Sequence, residues 1–140
     1  MKLKIAAAFA TVALALPAHA AGDAEAGEKE FNKCKACHMI ESADETIVRG
    51  GKTGPNLYGI AGRTAGTYED FRYSDLMIEA GEKGLAWNEE DFIGYVQDPT
   101  PWLHEYTGDS SGRGKMTFKV RSAEDAADLW AYLSSLAPES

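Results

Sequence analysis

The residues in this sequence best suited to chemistry are two cysteines, Cys34 and Cys37, and the histidine that follows them, His38. Together they read Cys34-Lys35-Ala36-Cys37-His38, a C-x-x-C-H pattern. Two thiols at that spacing reach the two vinyl groups of one porphyrin as thioethers, and the next imidazole then sits under the iron. Three other uses compete. A redox-active C-x-x-C wants a βαβ setting, and no such pattern is visible. Zinc wants four ligands, and beyond residue 20 only His38 and His104 could join the cysteines. A disulfide across two intervening residues closes so small a loop that it stabilises little.

An iron held by His38 has a second axial position to fill. Met39, Met77, His104 and Met116 are the candidates. Met39 adjoins His38 and cannot reach the opposite face. Met77 falls in a helical pattern and reads as core. His104, beside Glu105, reads as a solvated side chain and remains the alternative ligand. Met116 is favoured. It lies in Arg113-Gly114-Lys115-Met116-Thr117-Phe118, a loop from which a thioether can drape over the far face.

The elements that must position these groups read as helices. Residues 23–33 begin at Asp23, a good N-cap, with Ala24, Gly27 and Phe31 on one face. Ser74 caps a segment ending near Gly81 or Gly84. Asn88 caps another with Phe92, Tyr95 and Val96 inward, stopped at Asp98-Pro99. Thr100-Pro101 fits the N-cap and first position of a further short turn. Residues 122–136 give the clearest helix. Ser122 and Asp125 resemble a capping box, and Ala126, Leu129, Trp130, Leu133 and Leu136 form an apolar stripe. Gly-rich loops fill residues 50–66 and 107–114, and no alternating strand pattern of useful length appears. Short helices joined by long loops build a small core, so a large apolar cofactor is expected to fill the middle.

Residues 1–20 read as a cleaved signal peptide. Lys2 and Lys4 precede an apolar run from Ile5 to Leu16, Pro17 breaks it, and Ala18-His19-Ala20 is the cleavage site. The remaining residues, 21–140, suffice for one domain. Losing two lysines takes the formal charge from −8 to −10. So acidic a protein is a poor partner for nucleic acid.

The resemblance to a family is specific. Glu28-Lys29-Glu30-Phe31 leading into Cys34–His38, then Lys52-Thr53-Gly54-Pro55-Asn56-Leu57-Tyr58-Gly59, Gly62-Arg63-Thr64, Gly84-Leu85-Ala86-Trp87, Tyr95 to Pro99 and Lys115-Met116-Thr117-Phe118 closely resemble class I cytochromes c. The bacterial cytochrome c2 and c550 subgroup is the nearest match. The resemblance implies an all-α, single-domain cytochrome c fold, with about five short helices around one covalently bound haem c. It implies that the Pro55 carbonyl orients His38. Tyr73 and Trp87 become donors to a buried haem propionate with Arg63 nearby, and Tyr95 a pocket tyrosine close to the Met116 sulfur. Gly27 and Phe31 become the face on which the first helix crosses the last, against Leu129 and Tyr132. The chain departs from the family in its methionine loop. There it carries Gly112-Arg113-Gly114 where a Pro-Gly-Thr turn is common, which puts the stiffness of the loop in question.

His/Met ligation fills the coordination sphere, which favours an electron carrier over an enzyme. The rival class is a haem enzyme or ligand sensor with a displaceable Met ligand. The resemblance implies a periplasmic, monomeric shuttle. It would run from the cytochrome bc1 complex to a photosynthetic reaction centre and/or a terminal oxidase. Acids crowd residues 41–45, 69–82 and 89–91, while residues 110–123 carry none. Lys33, Lys35, Lys52, Arg113, Lys115 and Lys119 are expected to form a positive docking rim around the exposed haem edge.

Overall fold

Asp23 and Ser122 start the two helices that organise the molecule. The computed structural model describes residues 22–138, and the leader read over residues 1–20 lies outside them. Asp23 Oδ1 accepts from the N–H groups of Glu25 and Ala26 at 2.9 and 3.2 Å, opening α1, Ala24–Glu30. Ser122 Oγ accepts from the Asp125 N–H at 3.1 Å, opening α5, Ala123–Leu136. Each cap satisfies N–H groups that a helix start leaves without an internal partner. The helix read over residues 23–33 tightens in its last turn into a 3-10 segment, Phe31–Lys33, which feeds Cys34.

The two helices cross at Gly27. A Cβ there would stand 1.9 Å from the Asp128 carbonyl oxygen and 2.8 Å from Tyr132 Cβ, so only glycine permits this approach. Phe31, Leu129, Tyr132 and Leu133 are buried around the crossing. The Phe31 and Tyr132 rings lie 5.9 Å apart. The crossing is the one that Gly27, Phe31, Leu129 and Tyr132 implied.

Three shorter helices lie between. α2 is Asp75–Glu82, capped by Ser74, and α3 is Glu89–Gln97, capped by Asn88, both starting where the sequence placed them. α4, Pro99–Thr107, departs from the reading of Thr100 as N-cap and Pro101 as first residue. The ring of Pro99 disfavours helical backbone at Asp98, which is extended at φ −156°, so the boundary falls two residues earlier. Pro99 takes the first helical position, where no N–H is required, and Pro101 in the same first turn also lacks only an unused donor.

Strand is minor but was not anticipated. β1, Ile40–Glu41, pairs antiparallel with β2, Thr46–Val48. Segments of two and three residues are too short to display alternation in a sequence. Elsewhere residues 62–65 run alongside 85–87. Gly62 N donates to Trp87 O at 2.7 Å, Trp87 N to Arg63 O at 3.0 Å and Ala65 N to Leu85 O at 2.8 Å. These bonds bring Arg63 and Trp87 together. No helix among the described residues is long and apolar enough to cross a membrane.

Gly27→Ala is expected to cost about 3 kcal/mol, because the added carbon meets backbone that can move only if the helices separate. Ser122→Ala, which loses a cap without a clash, should cost about 1 kcal/mol. Chemical denaturation of the two variants beside the parent protein checks both the values and their order.

Candidate cofactor cleft

Residues 34–38 wind into a tight turn as α1 and its 3-10 extension end. The Cys34 carbonyl accepts from the N–H groups of Cys37 and His38 at 3.1 and 3.0 Å. The following loop folds back onto this turn. Gly51 N donates to Lys35 O at 2.9 Å and Gly54 N to Cys37 O at 2.8 Å. This closure puts His38 Nδ1 2.8 Å from the Pro55 carbonyl. The carbonyl can only accept, so Nδ1 carries the proton and Nε2 is left bare. The flat of the ring rests on Gly54, where a Cβ would come within 2.4 Å of it. Burial lowers the His38 pKa, which keeps the imidazole neutral and able to bind a metal.

Asn56 secures this arrangement from behind, a role the sequence reading did not assign. Its buried side-chain oxygen accepts from Glu41 N and Tyr58 N, both at 3.0 Å, and its amide donates to Glu41 O at 2.7 Å. It therefore ties the Pro55 turn to β1. Its position directly after Pro55 was the only available clue.

A cleft of about 320 Å³ opens beside the His38 ring. Cys34, Cys37 and His38 line it together with Pro55, Arg63, Tyr73, Trp87, Tyr95 and Met116. Met77, read as core, is both: it is buried in α2 and also on the cleft wall. Met39 and His104 are not on the wall. His104 instead donates from Nε2 to the Gly112 carbonyl at 3.0 Å. Burial, aided by Glu30, pushes the Cys34 thiol up to about 11. A thiol so far from ionisation at neutral pH is a poor redox nucleophile. Among the described residues no three His, Cys, Asp or Glu side chains converge on a metal site.

Several polar groups on the wall await a partner. The Trp87 indole N–H and the Tyr95 hydroxyl make no hydrogen bond among the described residues, although both side chains are buried. Burial holds the Tyr95 hydroxyl well above its ordinary pKa, so it remains a proton donor. The Tyr73 oxygen accepts from Tyr68 N at 3.3 Å, and its own proton is uncommitted. Arg63 donates to the carbonyls of Asn56 and Tyr58 at 2.9 and 3.4 Å and has no carboxylate partner among the described residues. Burial of that charge lowers its pKa. An apolar cleft with a bare imidazole nitrogen, two thiols, a thioether, unpaired donors and an uncompensated cation fits a porphyrin that carries iron and carboxylates.

The six expected rim cations are not equivalent. Lys33 and Lys115 line the cleft. Lys33 is paired with Glu30 at 2.7 Å and Lys119 with Asp98 at 2.6 Å, which offsets their charges. Lys35 donates to Asn32 Oδ1 at 2.7 Å. Lys115 reaches the Arg72 carbonyl and sits 5.5 Å from the Phe71 ring centroid. Lys52 and Arg113 are exposed. Phe118, at the cleft edge, is 44% exposed, an apolar group in the midst of these cations that the charge pattern did not reveal.

The chain is similar to known proteins along most of its length. The family model described as Cytochrome c matches residues 24–137. A cytochrome c2 of Cereibacter sphaeroides is 55% identical, with 98% of each chain covered. A cytochrome c-550 of Paracoccus versutus is 53% identical, covering 99% of this chain and 92% of its own. The crystal structure of cytochrome c2 from Rhodobacter sphaeroides superposes with a TM-score of 0.80 at 57% identity, over 83% of this chain and 97% of that one.

Gly54→Ala should push the His38 ring away from its seat and weaken its bond to Pro55. The Nδ1 proton is then expected to exchange with solvent about tenfold faster, read by nitrogen-resolved proton exchange. An unchanged exchange rate would mean that Gly54 does not seat the ring.

Proposed function

The chain belongs to the cytochrome c family, and we propose that it is a periplasmic shuttle passing single electrons through a haem held between His38 and Met116. It is a class I c-type cytochrome of the c2 and c-550 subgroup. It is an electron-transfer protein with one covalently attached haem c, and not an enzyme. The observation that carries the finer reading is the His38–Pro55 bond at 2.8 Å, which leaves Nε2 bare beside two cysteines on one cleft wall.

In this reading Cys34 and Cys37 form the thioethers and His38 Nε2 binds the iron. Met116 would supply the further ligand from the loop wall, and Met77 stays a packing residue of α2. Trp87 and Tyr73 donate to a propionate, and Arg63 offsets its charge through the buried wall. Tyr95 places its hydroxyl near the Met116 sulfur. Bound there, the haem supplies a one-electron ferric–ferrous couple, and thioether ligation raises its potential. The residues around it keep the coordination sphere full and exclude water, so little rearranges when an electron passes.

The leader over residues 1–20 is cleaved after Ala20, which puts the mature protein in the periplasm as a monomer. Electrons arrive from the cytochrome bc1 complex and leave to a photosynthetic reaction centre and/or a terminal oxidase. Lys35, Lys52, Arg113 and Lys115 supply most of the positive docking field. Lys33 and Lys119 add less, because Glu30 and Asp98 offset them. The exposed Phe118 ring gives the partner an apolar contact at the mouth.

Met116→Ala should abolish the weak thioether-to-ferric-iron charge-transfer band and lower the potential, while Met77→Leu keeps the band. Loss of the band in Met77→Leu and its survival in Met116→Ala would reverse the ligand assignment.

Lys35→Glu, Lys52→Glu and Lys115→Glu combined should slow association with an isolated partner complex at low salt by at least about tenfold, with the haem spectrum unchanged. Raising salt should slow the parent protein, since the Debye length is about 10 Å at 0.1 M. Lys29→Glu and Lys83→Glu, at lysines already paired with Glu25 and Glu79, should have smaller effects. Second-order rates across an ionic-strength series test this, and a flat profile would contradict steering.

A further inference from the structure

We infer that α4 is a clamp on the Met116 loop, with Thr100 and His104 acting as positioning residues for the ligand. The inference rests on the proposed role of Met116. Among the described residues, Asp109 to Lys119 make no backbone–backbone hydrogen bond; the ladder resumes only where Val120 N donates to Val96 O at 2.8 Å. A segment containing Gly112 and Gly114 has much backbone entropy to lose, so something else must order it.

One stripe of α4 meets that need. Thr100, Leu103, His104 and Thr107 recur at helical spacing, and each touches the loop. Thr107 Oγ1 accepts from Asp109 N at 3.1 Å. His104 Nε2 donates to Gly112 O at 3.0 Å. Thr100 Oγ1 accepts from Gly114 N at 3.0 Å. Fully buried Leu103 lies under Gly114, its Cδ1 3.2 Å from where a Cβ would stand. Two residues further on is Met116.

The clamp is itself anchored to the cleft. Trp102, on the other side of α4, stacks on Trp87 at 6.1 Å and 29°, and on Tyr106 at 5.2 Å and 20°. Gly94 leaves room for the Trp102 indole, since a Cβ there would meet its Nε1 at 2.5 Å. Lys83 caps the far end of α4 by donating to Thr107 O. α4 lines none of the cleft, yet it joins the cleft wall at Trp87 to the loop that carries the ligand. Loop stiffness here comes from hydrogen bonds to a neighbouring helix and not from a proline turn.

The test measures the limiting rate at which saturating imidazole enters the sixth position of the ferric, haem-loaded protein. That rate reports how often the loop lets go. Thr100→Ala and His104→Ala should each raise it about five- to tenfold, the size expected for one lost hydrogen bond. Thr100→Ser, which keeps the hydroxyl, should restore the parent rate. Asp23→Ala, which removes the cap of α1, should lower the denaturation midpoint and leave the rate unchanged. Parent rates in Thr100→Ala and His104→Ala would overturn the clamp, as would an equal increase in Asp23→Ala. A parent protein without the thioether band, or a Met116→Ala variant that keeps it, would overturn the ligand assignment and the clamp with it.

Discussion

The hydrogen bond from the His38 ring to the Pro55 carbonyl decides which way the chemistry of this cleft points. An imidazole has two nitrogens, and a metal ligand must offer one of them without its proton. Committing Nδ1 to a backbone acceptor leaves Nε2 as that nitrogen and fixes the plane of the ring. The chain from 39 to 60 can be understood as support for this one contact. Gly54 lets the ring lie flat against the backbone, Asn56 ties the turn to β1, and Leu57 N donates to Met39 O at 3.1 Å. The two cysteines and His38 lie in one turn, closed on the Cys34 carbonyl by residues close in sequence.

The rest of the core is organised around a guest. A protein of this size normally fills its interior with its own side chains. Here buried Trp87 and Tyr95 turn unpaired donors to a cleft, and Arg63 holds a partly buried charge against neutral carbonyls and the Tyr68 ring. Each would be costly in a dry, sealed interior. Each is reasonable if the interior is completed by a large apolar ring with acidic edges.

Electrostatics divides in the same way. The chain is acidic, with a formal charge of −8, but its cations gather where acids are sparse. Local pairing then sorts them: Glu30 and Asp98 offset Lys33 and Lys119, while Lys52 and Arg113 remain exposed. An association field built from the unpaired cations is smaller than a count of lysines suggests.

The sequence by itself determined whatever is encoded over a few residues. Cys34, Cys37 and His38 announce the attachment site by spacing, and Asp23, Ser74, Asn88 and Ser122 mark helix starts because a cap acts within its own first turn. Family resemblance extended this to the cleft residues and to the crossing at Gly27. Tertiary structure alone decided what depends on distant partners. It made a hairpin of strands too short to show a period. It put Met77 on the cleft wall and turned His104 from a candidate ligand into a tether for Gly112. It also brought Thr100 to Gly114 and paired Lys119 with Asp98. A cap or a C-x-x-C-H turn is closed by atoms a few bonds apart, so its energy is written into local sequence. A contact between residues 14 or more apart exists only after the loop between them has been closed by the packing of everything else.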